Sequence, residues 1–193
     1  MTNKMRAFDD ESRRQSVAEV AVQVIAEEGL DAATIRHIAA KAGFSTTIIT
    51  HYFIDKDELL MLAFQHISNL ARERLAAVTD KRPDDLLGAL MTMTALDEKS
   101  YQGWRVYIAF WQKAGQDPAF AAVQQESINR TLTQIETMLR ARFGDRSDIP
   151  RMARHLIALV QGIAIQQLFD PPTWTPDSIE QTLSREIQFL LCR

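Results

Sequence analysis

The sequence predicts an all-α protein of about nine helices. Apolar residues recur three and four positions apart along most of the chain, which is the spacing of one helix face. No segment alternates polar and apolar residues as a half-buried strand does. The 7 glycines and 6 prolines are scarce among 193 residues, and most of them fall where a periodic segment ends. With 46% hydrophobic residues, the chain has ample material for a core.

The first predicted helix runs from about Asp9 or Ser12 to about Glu28, and Gly29 ends it. Its apolar side chains share one face: Val17, Val20, Ala21, Val24 and Ile25. After an interval of about 25 residues, the run Asp55–Glu58 forms a capping box, with Asp at the N-cap and Glu three positions later. This box predicts the start of a long helix that continues to about residue 77.

Five further helices are predicted downstream, each bounded by proline, glycine or an acidic cap. Pro83 interrupts the chain before the first of them, and Pro171 with Pro172 separates the last two. Pro150 lies in a first turn, where a missing N–H group is tolerated. The predicted ranges are about 86–96, 101–114, 119–143, 151–169 and 176–191.

Residues 34–53 predict two short helices joined by a tight turn. Thr34 and Ser45 are the candidate N-caps, and Gly43 can adopt the left-handed conformation that ends a helix. The inward positions are Ile35, Ile38 and Ala39 on the first helix, with Ile48, Ile49 and Phe53 on or after the second. The outward positions on the second helix are Thr46, Thr47, Thr50 and His51. This layout predicts a helix-turn-helix, whose second helix can lie in the major groove of DNA.

The run GFSTTIITHYFIDKDELL, residues 43–60, resembles the recognition-helix region of TetR-type one-component repressors. The matching positions are Gly43, Ser45, Tyr52, Phe53, Lys56 and Leu59. The order of residues is most similar to that of the choline-responsive betaine-pathway repressors. Thr47 and Thr50 depart from the pattern, because many members have glycine and an aromatic residue there. The resemblance implies a three-helix DNA-binding domain over residues 1–55 and a helical effector-binding and dimerisation domain over residues 56–193.

The exposed threonines of the second helix have two interpretations, an ordinary solvated face or a DNA-reading face. Threonine is a poor helix former, so local propensity does not account for three of them. Threonine hydroxyls and methyls reach base edges, and the methyl suits the 5-methyl of thymine. The resemblance implies that Tyr52 and Lys56 bind DNA phosphates. Thr34 and Arg36, at the start of the first helix of the helix-turn-helix, are expected to bind phosphates too. The predicted DNA contacts are Thr34, Arg36, Ser45, Thr46, Thr47, Thr50, His51, Tyr52 and Lys56.

Charge does not support DNA binding by itself, because the chain has a formal net charge of −3. Residues 1–58 carry seven Lys or Arg and ten Asp or Glu, which is again −3. The prediction therefore depends on where the charges lie. The cations Arg36, Lys41, His51 and Lys56 lie on or beside the helix-turn-helix. The acids Glu19, Glu27 and Glu28 belong to the preceding helix and are expected to face away. Binding should then be salt-sensitive.

An aromatic stripe marks the helix predicted at 101–114. Trp104, Tyr107, Ile108 and Trp111 are spaced i, i+3, i+4 and i+7, and Phe110 borders them. Plain core packing explains such a stripe, but aromatic rings also form cages for quaternary ammonium ions through cation–π attraction. The segment WRVYIAFW resembles the aromatic helix of the choline-responsive subgroup. The predicted effector contacts are Trp104, Tyr107, Phe110 and Trp111.

The helices near 119–143 and 151–169 are the predicted dimer interface. The second of them carries apolar residues on several sides, which requires burial on several sides. Family resemblance implies that both pack against their twins as a four-helix bundle, and the alternative is a fully internal helix of a monomer. Two-fold symmetry would present two recognition helices to successive major grooves, about 34–36 Å apart.

Other classes of protein leave no signal in the chain. There is no GxGxxG, P-loop, HExxH or GxSxG motif, and the four histidines lack ligand spacing, so neither an enzyme nor a metal or cofactor site is predicted. No apolar run suits a membrane span or a signal peptide. The single cysteine, Cys192, cannot form an internal disulfide, which suits a reducing cytoplasm.

These observations predict a homodimeric, ligand-responsive repressor that binds a palindromic operator in double-stranded DNA. A small molecule would release it, with a choline-like cation favoured and other apolar or aromatic molecules open. The helix from Asp55 to about Ala77 would be the lever between the two sites. Repression itself is implied by the resemblance alone. The alternative is a helical protein–protein adaptor without specific DNA binding.

Overall fold

A computed structural model describes residues 3–191, with side chains described for residues 12–50 and 53–190. This part of the chain contains nine α-helices and no strand, which confirms the all-α prediction. The helices are α1 Asn3–Glu28, α2 Ile35–Ala42, α3 Thr46–Tyr52, α4 Lys56–Thr79, α5 Leu86–Met91, α6 Glu98–Ala114, α7 Pro118–Phe143, α8 Ile149–Phe169 and α9 Pro176–Leu191. Cys192 lies outside the described residues.

The chain divides into two compact units that do not follow the chain order. The first unit combines the described residues up to Asn69 with Arg105–Ala121, the greater part of α6 and the start of α7. Its core takes apolar side chains from α1 to α4 and from α6. The largest fully buried members are Ile38, Ile49, Leu59, Leu60, Phe64 and Phe110. The predicted domain boundary after residue 55 stays a prediction.

The second unit comprises Leu70–Trp104 and the described residues from Ala122 onward. Its core is organised around α8, which buries nine of its residues. Both α8 and α9 contact the short helix α5. Leu86 and Leu90 of α5 are fully buried in this core, as are Leu156 of α8 and Leu183 of α9. Since α8 is apolar on more than one side, its burial is what the sequence pattern requires.

Helix α5 is shorter than predicted, because it ends at Met91 and not near residue 96. Two threonine hydroxyls turn back onto the helix, with Thr92 donating to Ala89 O at 2.7 Å and Thr94 to Met91 O at 2.8 Å. The side chain of the buried Gln167 accepts a hydrogen bond from the Ala95 N–H at 2.8 Å and donates one to the Ala95 carbonyl at 3.1 Å. These hydrogen bonds pair backbone N–H and C=O groups without a further helical turn, so α5 ends before residue 96.

Helix α6 begins earlier than predicted, at Glu98 instead of Tyr101. Asp97 Oδ1 accepts from the Ser100 N–H at 2.7 Å, and Ser100 Oγ accepts from the Asp97 N–H at 3.0 Å. This reciprocal cap uses serine where a capping box usually has Glu or Gln. The hydrogen bond from the Ser100 backbone lowers the pKa of Asp97 below its ordinary value.

Two other boundaries were not predicted. Helix α1 is described from Asn3, well ahead of the expected start, and a 3-10 turn over Leu30–Ala32 connects it to α2. None of the described helices is both long and apolar enough to cross a membrane.

Candidate nucleic-acid interface and effector contacts

Helix α2 is fixed at both ends by the residues that the sequence indicated. Thr34 Oγ1 accepts from the His37 N–H at 3.2 Å, which caps the N-terminus. Gly43 ends the helix in the left-handed conformation at φ 71°, and the Phe44 N–H then donates to Ala39 O at 3.0 Å. This pair of features is typical of a glycine C-cap. The turn into the next helix is therefore set by backbone geometry.

Helix α3 is only seven residues long and is held by a few anchors. Ser45 Oγ accepts from the Ile48 N–H at 3.3 Å, Ile49 is fully buried and Phe53 nearly so. The prediction that Ile48 also faces inward is wrong, since 37% of it is exposed. Adjacent helical residues point about 100° apart, so Ile49 can be fully covered while Ile48 keeps part of its surface exposed.

The structure leaves most of the predicted DNA contacts accessible. Thr34, Arg36, Ser45, Thr46, Thr47 and Thr50 are exposed, and Lys56 is partly exposed. The hydroxyl of Thr50 donates to Thr47 O at 3.2 Å, which orients it along α3. The side chains of His51 and Tyr52 lie outside the described residues. The accessible residues come from α2, α3 and the first residue of α4, which are joined by two short connections.

The expectation that Glu27 and Glu28 face away from the helix-turn-helix is wrong. Glu28 accepts from Lys41 Nζ at 2.6 Å and lies 3.0 Å from His37 Nε2, while Glu27 is 3.8 Å from Lys41. The hydrogen bond from Lys41, and next in size the one from His37, lowers the pKa of Glu28. The hydrogen bond to Glu28 in turn raises the pKa of Lys41. A further acid, Asp31, lies 3.2 Å from Lys56 Nζ. Three basic residues near the helix-turn-helix, His37, Lys41 and Lys56, therefore already have acidic partners.

The aromatic side chains of α6 in the first unit form one contacting group. Phe110 is fully buried and stacks on Phe64, with ring centroids 3.7 Å apart and planes at 15°. Tyr107 meets Phe64 edge to face at 5.6 Å and lies 6.2 Å from the partly buried Trp111. The hydroxyl of Tyr107 is 3.5 Å from Ser68 Oγ. Core packing thus accounts for Phe110, whereas Tyr107 and Trp111 keep part of their surface accessible.

Trp104 belongs to the second unit. It is 8% exposed, and its indole N–H donates to Met93 O at 3.2 Å. This bond fixes the segment after α5 to the start of α6. Trp104 is therefore already engaged by the protein backbone.

Two basic residues of α6 join it to other helices of the first unit, and sequence reasoning missed both. Arg105 donates to the carbonyl of Ala26 near the C-terminus of α1 at 2.7 Å. Lys113 Nζ lies 2.6 Å from Asp57 in the first turn of α4, and this contact raises the pKa of Lys113. A cation near a helix C-terminus and an anion near an N-terminus both complement the helix dipole. No local pattern could reveal the contacts, because the partners are far apart in sequence.

A surface cleft of about 290 Å³ also lies within the first unit. It is lined by residues 28–31 together with Gln112, Lys113 and Gln116. None of the predicted aromatic residues lines it. Its polar lining does not suit an apolar ligand.

Comparison with known proteins identifies the class to which this arrangement belongs. Residues 17–62 match the profile of bacterial regulatory proteins of the tetR family, and residues 83–191 match the C-terminal domain of BetI-type transcriptional repressors. The HTH-type transcriptional regulator BetI of Escherichia coli is 30% identical over 159 residues, which cover 78% of this chain and 80% of that protein. The chain belongs to the TetR family.

Two further proteins extend the match along almost the whole chain. The HTH-type transcriptional regulator PksA of Bacillus subtilis is 28% identical over 193 residues, covering 95% of this chain and 92% of PksA. The crystal structure of a putative transcriptional regulator from Saccharomonospora viridis in complex with choline has a TM-score of 0.82. It is 24% identical and covers 92% of this chain and 96% of that one, so it supports the fold.

Membership of the TetR family makes this chain a DNA-binding transcriptional regulator with a repressor-type C-terminal domain, and not an enzyme. The helix-turn-helix of α2 and α3 lies within the matched N-terminal region. Among the described residues, no cluster of His, Cys, Asp or Glu could hold a metal ion.

Proposed function

We propose that this TetR-family regulator is a ligand-responsive repressor that acts in the cytoplasm, binding a palindromic operator as a homodimer. The observation that carries the proposal is the row of exposed hydroxyl side chains on α3 above the buried Ile49 and Phe53. Such a helix presents hydrogen-bonding groups to a groove while two apolar anchors hold it in place. DNA binding comes from family membership, and the residue assignments are ours.

We assign two kinds of contact to the exposed side chains. Thr46, Thr47 and Thr50 on α3, with Ser45 and His51 at its two ends, would read base edges. Thr34 and Arg36 at the start of α2, with Tyr52 and Lys56 around the start of α4, would hold phosphates without reading sequence. Phosphate contacts of this kind make affinity fall as salt rises.

A selection of genomic DNA fragments tests this assignment. Purified wild-type protein is compared with the variant Tyr52→Ala plus Lys56→Ala. We expect the wild type to enrich a palindromic site and the variant to lose it, because two phosphate contacts per subunit are removed. If a folded wild-type dimer enriches nothing at low salt, DNA recognition fails, and a protein–protein adaptor becomes the better explanation of the exposed α3 surface.

For the dimer, we propose an interface of α8 with α9 in place of the pair α7 and α8 that the family resemblance implied. The exposed side chains of α7 are mostly polar or charged. Helix α8 also exposes polar side chains, but among them lie the small residues Ala158 and Gly162 one turn apart, and Phe169 is 74% exposed. Phe189 of α9 is 49% exposed. Small residues allow close helix approach, and the exposed rings supply apolar area that a second copy would cover.

The oligomeric state of a matched pair of variants tests this interface. Gly162→Arg adds a long charged side chain to the proposed contact, where a Cβ atom meets nothing within 4 Å in one subunit. We expect it to yield folded monomers in analytical ultracentrifugation. Thr133→Arg on the exposed face of α7 is the control and should remain dimeric. The opposite outcome would return the interface to α7.

For the effector, we propose a choline-like quaternary ammonium ion bound at the accessible parts of Tyr107 and Trp111. Their ring centroids are 6.2 Å apart on one face of α6, and aromatic faces attract such cations. The structurally similar regulator from Saccharomonospora viridis was crystallised with choline. Phe110 would support these rings from behind, since Phe64 already covers one of its faces. Trp104 stays a predicted contact.

The route from effector to DNA would run along α6 within the first unit. Arg105 and Lys113 connect α6 to the end of α1 and to the first turn of α4, which follows the DNA-reading helices. A ligand that shifts α6 would therefore act on both helices. Helix α4 keeps the role of lever that the sequence suggested, with coupling of about 1–3 kcal/mol typical of such systems.

Thermal shift with choline tests the effector assignment. We expect choline to raise the melting temperature of wild type and not of Trp111→Ala. Phe143→Ala, which removes a partly buried ring in the second unit, is a matched aromatic deletion and should keep the response. If Trp111→Ala lowers stability but leaves induction unaltered, the stripe is only core.

A further inference from the structure

The acidic character of the DNA-reading region is the feature that the proposed function leaves unexplained. Residues 1–58 have a net charge of −3, although they must approach a polyanion. Two of the acids, Glu28 and Asp31, flank the bend between α1 and α2, where Gly29 has φ 87°. The bend directs the two carboxylates to different cations, one on α2 and one on α4.

Glu28 has the contacts of a structural residue. It bridges Lys41 and His37 of α2, at 2.6 and 3.0 Å, and its side chain is about one-third exposed. Because it joins the end of α1 to α2, removing it would also remove a contact between those two helices. Its effect on DNA binding could not be separated from its effect on folding.

Asp31 is different, because its side chain is fully exposed and lies 3.2 Å from Lys56 Nζ. An exposed ion pair of this kind contributes little to folding. Lys56, however, is the side chain that the proposed function assigns to a DNA phosphate. The carboxylate therefore already accepts one of the hydrogen bonds that the ammonium group could give to a phosphate.

We infer that Asp31 is an internal competitor of DNA phosphate for Lys56 and holds operator affinity down. This inference rests on the proposed role of Lys56. A phosphate oxygen and a carboxylate oxygen accept the same N–H groups, so DNA must either displace Asp31 or share the ammonium group with it, against the repulsion between two anions. The net gain from the phosphate contact is smaller than it would be for a free lysine.

Restrained affinity suits a repressor that must be released. An effector coupled to DNA binding typically changes affinity by about 5- to 150-fold. A lower starting affinity for DNA would reduce the change in affinity that an effector has to cause. Asp31 thus contributes to regulation without contacting either the DNA or the effector.

Binding of a random-sequence DNA duplex, followed by fluorescence anisotropy at low salt, tests this inference with the full chain. The lysine contact reads no sequence, so the operator need not be known. Asp31→Asn should tighten binding by about two- to fivefold per subunit, the range expected for an exposed ion pair. In the Lys56→Ala background the same substitution should change binding much less. Glu19→Gln removes one exposed acid from α1 and controls for net charge.

The outcomes separate this inference from the proposed function. If Asp31→Asn has no effect, or tightens binding equally with and without Lys56, Asp31 does not compete for that lysine. If it tightens binding no more than Glu19→Gln does, net charge alone is responsible and the inference is wrong. If Lys56→Ala leaves wild-type binding unchanged, the proposed phosphate contact fails first and the inference falls with it. Equal melting temperatures for the variants exclude a folding effect.

Discussion

The helix-turn-helix and helix α8 differ in how many of their residues are buried and in what holds them in place. Helices α2 and α3 have eight and seven residues, and among the described side chains only Ile38, Ala39 and Ile49 are buried. Helix α8 has 21 residues and buries nine of them. The short helices leave Arg36 and the threonines of α3 exposed, and they depend on caps and a few anchors. In the first region, substitutions can therefore alter function without stability, whereas in the second they should alter stability first.

The largest effect is expected in α8. Leu156 is fully buried there, so Leu156→Ala should lower the free energy of unfolding by about 2–5 kcal/mol through lost transfer energy and a cavity. Chemical denaturation measures this. Glu180→Ala on the exposed surface of α9 is the control and should change stability by no more than about 0.5 kcal/mol. A small loss at Leu156 would mean that the second core is loosely packed.

In the recognition helix α3, substitutions should weaken DNA binding and leave stability almost unchanged. Thr47→Ala with Thr50→Ala should weaken operator binding by about 1–3 kcal/mol per altered base contact, with little change in melting temperature. Thr133→Ala with Thr137→Ala makes the same chemical change on the exposed surface of α7. This control should leave binding unaltered. Equal effects from the two pairs would contradict the assignment of α3 as the reading surface.

Substitutions at two glycines allow the two regions to be compared at the same expected cost in stability. Gly43 after α2 and Gly144 after α7 have φ 71° and 74°, and an added Cβ would meet nothing within 4 Å at either position. Alanine at each should therefore cost about 1–2 kcal/mol from backbone strain alone. Only Gly43→Ala should also weaken DNA binding, because it alters the turn between the two reading helices. Melting curves and anisotropy on both variants measure the difference.

The smallest effect is expected from Glu28. Its pairing with Lys41 and His37 holds its pKa below the ordinary 4.5, so its stabilising contribution is present above that pH. The contribution is lost as pH falls through the lower, folded-state pKa. Glu28→Gln should therefore lower stability at neutral pH and converge with wild type in strong acid. A difference that persists unchanged down to the most acidic pH would show that the charge of Glu28 is not involved.

The fold was largely predictable because its signals are local. Helical periodicity, the caps Thr34 and Ser45, and Gly43 depend only on neighbouring residues, and the structure contains all of them as expected. The errors fall where distant residues decide. Helix α5 stops early because Gln167, 72 positions from Ala95, bonds the chain beyond it.

The candidate site divides in the same way. The outward positions of Thr46, Thr47 and Thr50 on α3 could be predicted from helix geometry, and these residues are exposed. The exposure of Ile48 could not be predicted, because the other helices decide which of two adjacent isoleucines they cover. The pairing of Asp31 with Lys56 was also unpredictable, since 25 residues separate them.

The sequence by itself determined that this is an all-α chain with a helix-turn-helix near its start, and the residues of that motif carried the family. Those features arise from backbone propensity, capping and the periodicity of apolar residues, which act over a few positions. Only the tertiary structure decided which charges meet, which aromatic rings are covered and which helix faces remain open. Those outcomes depend on contacts between residues far apart in the chain, whose geometry exists only after the helices have packed.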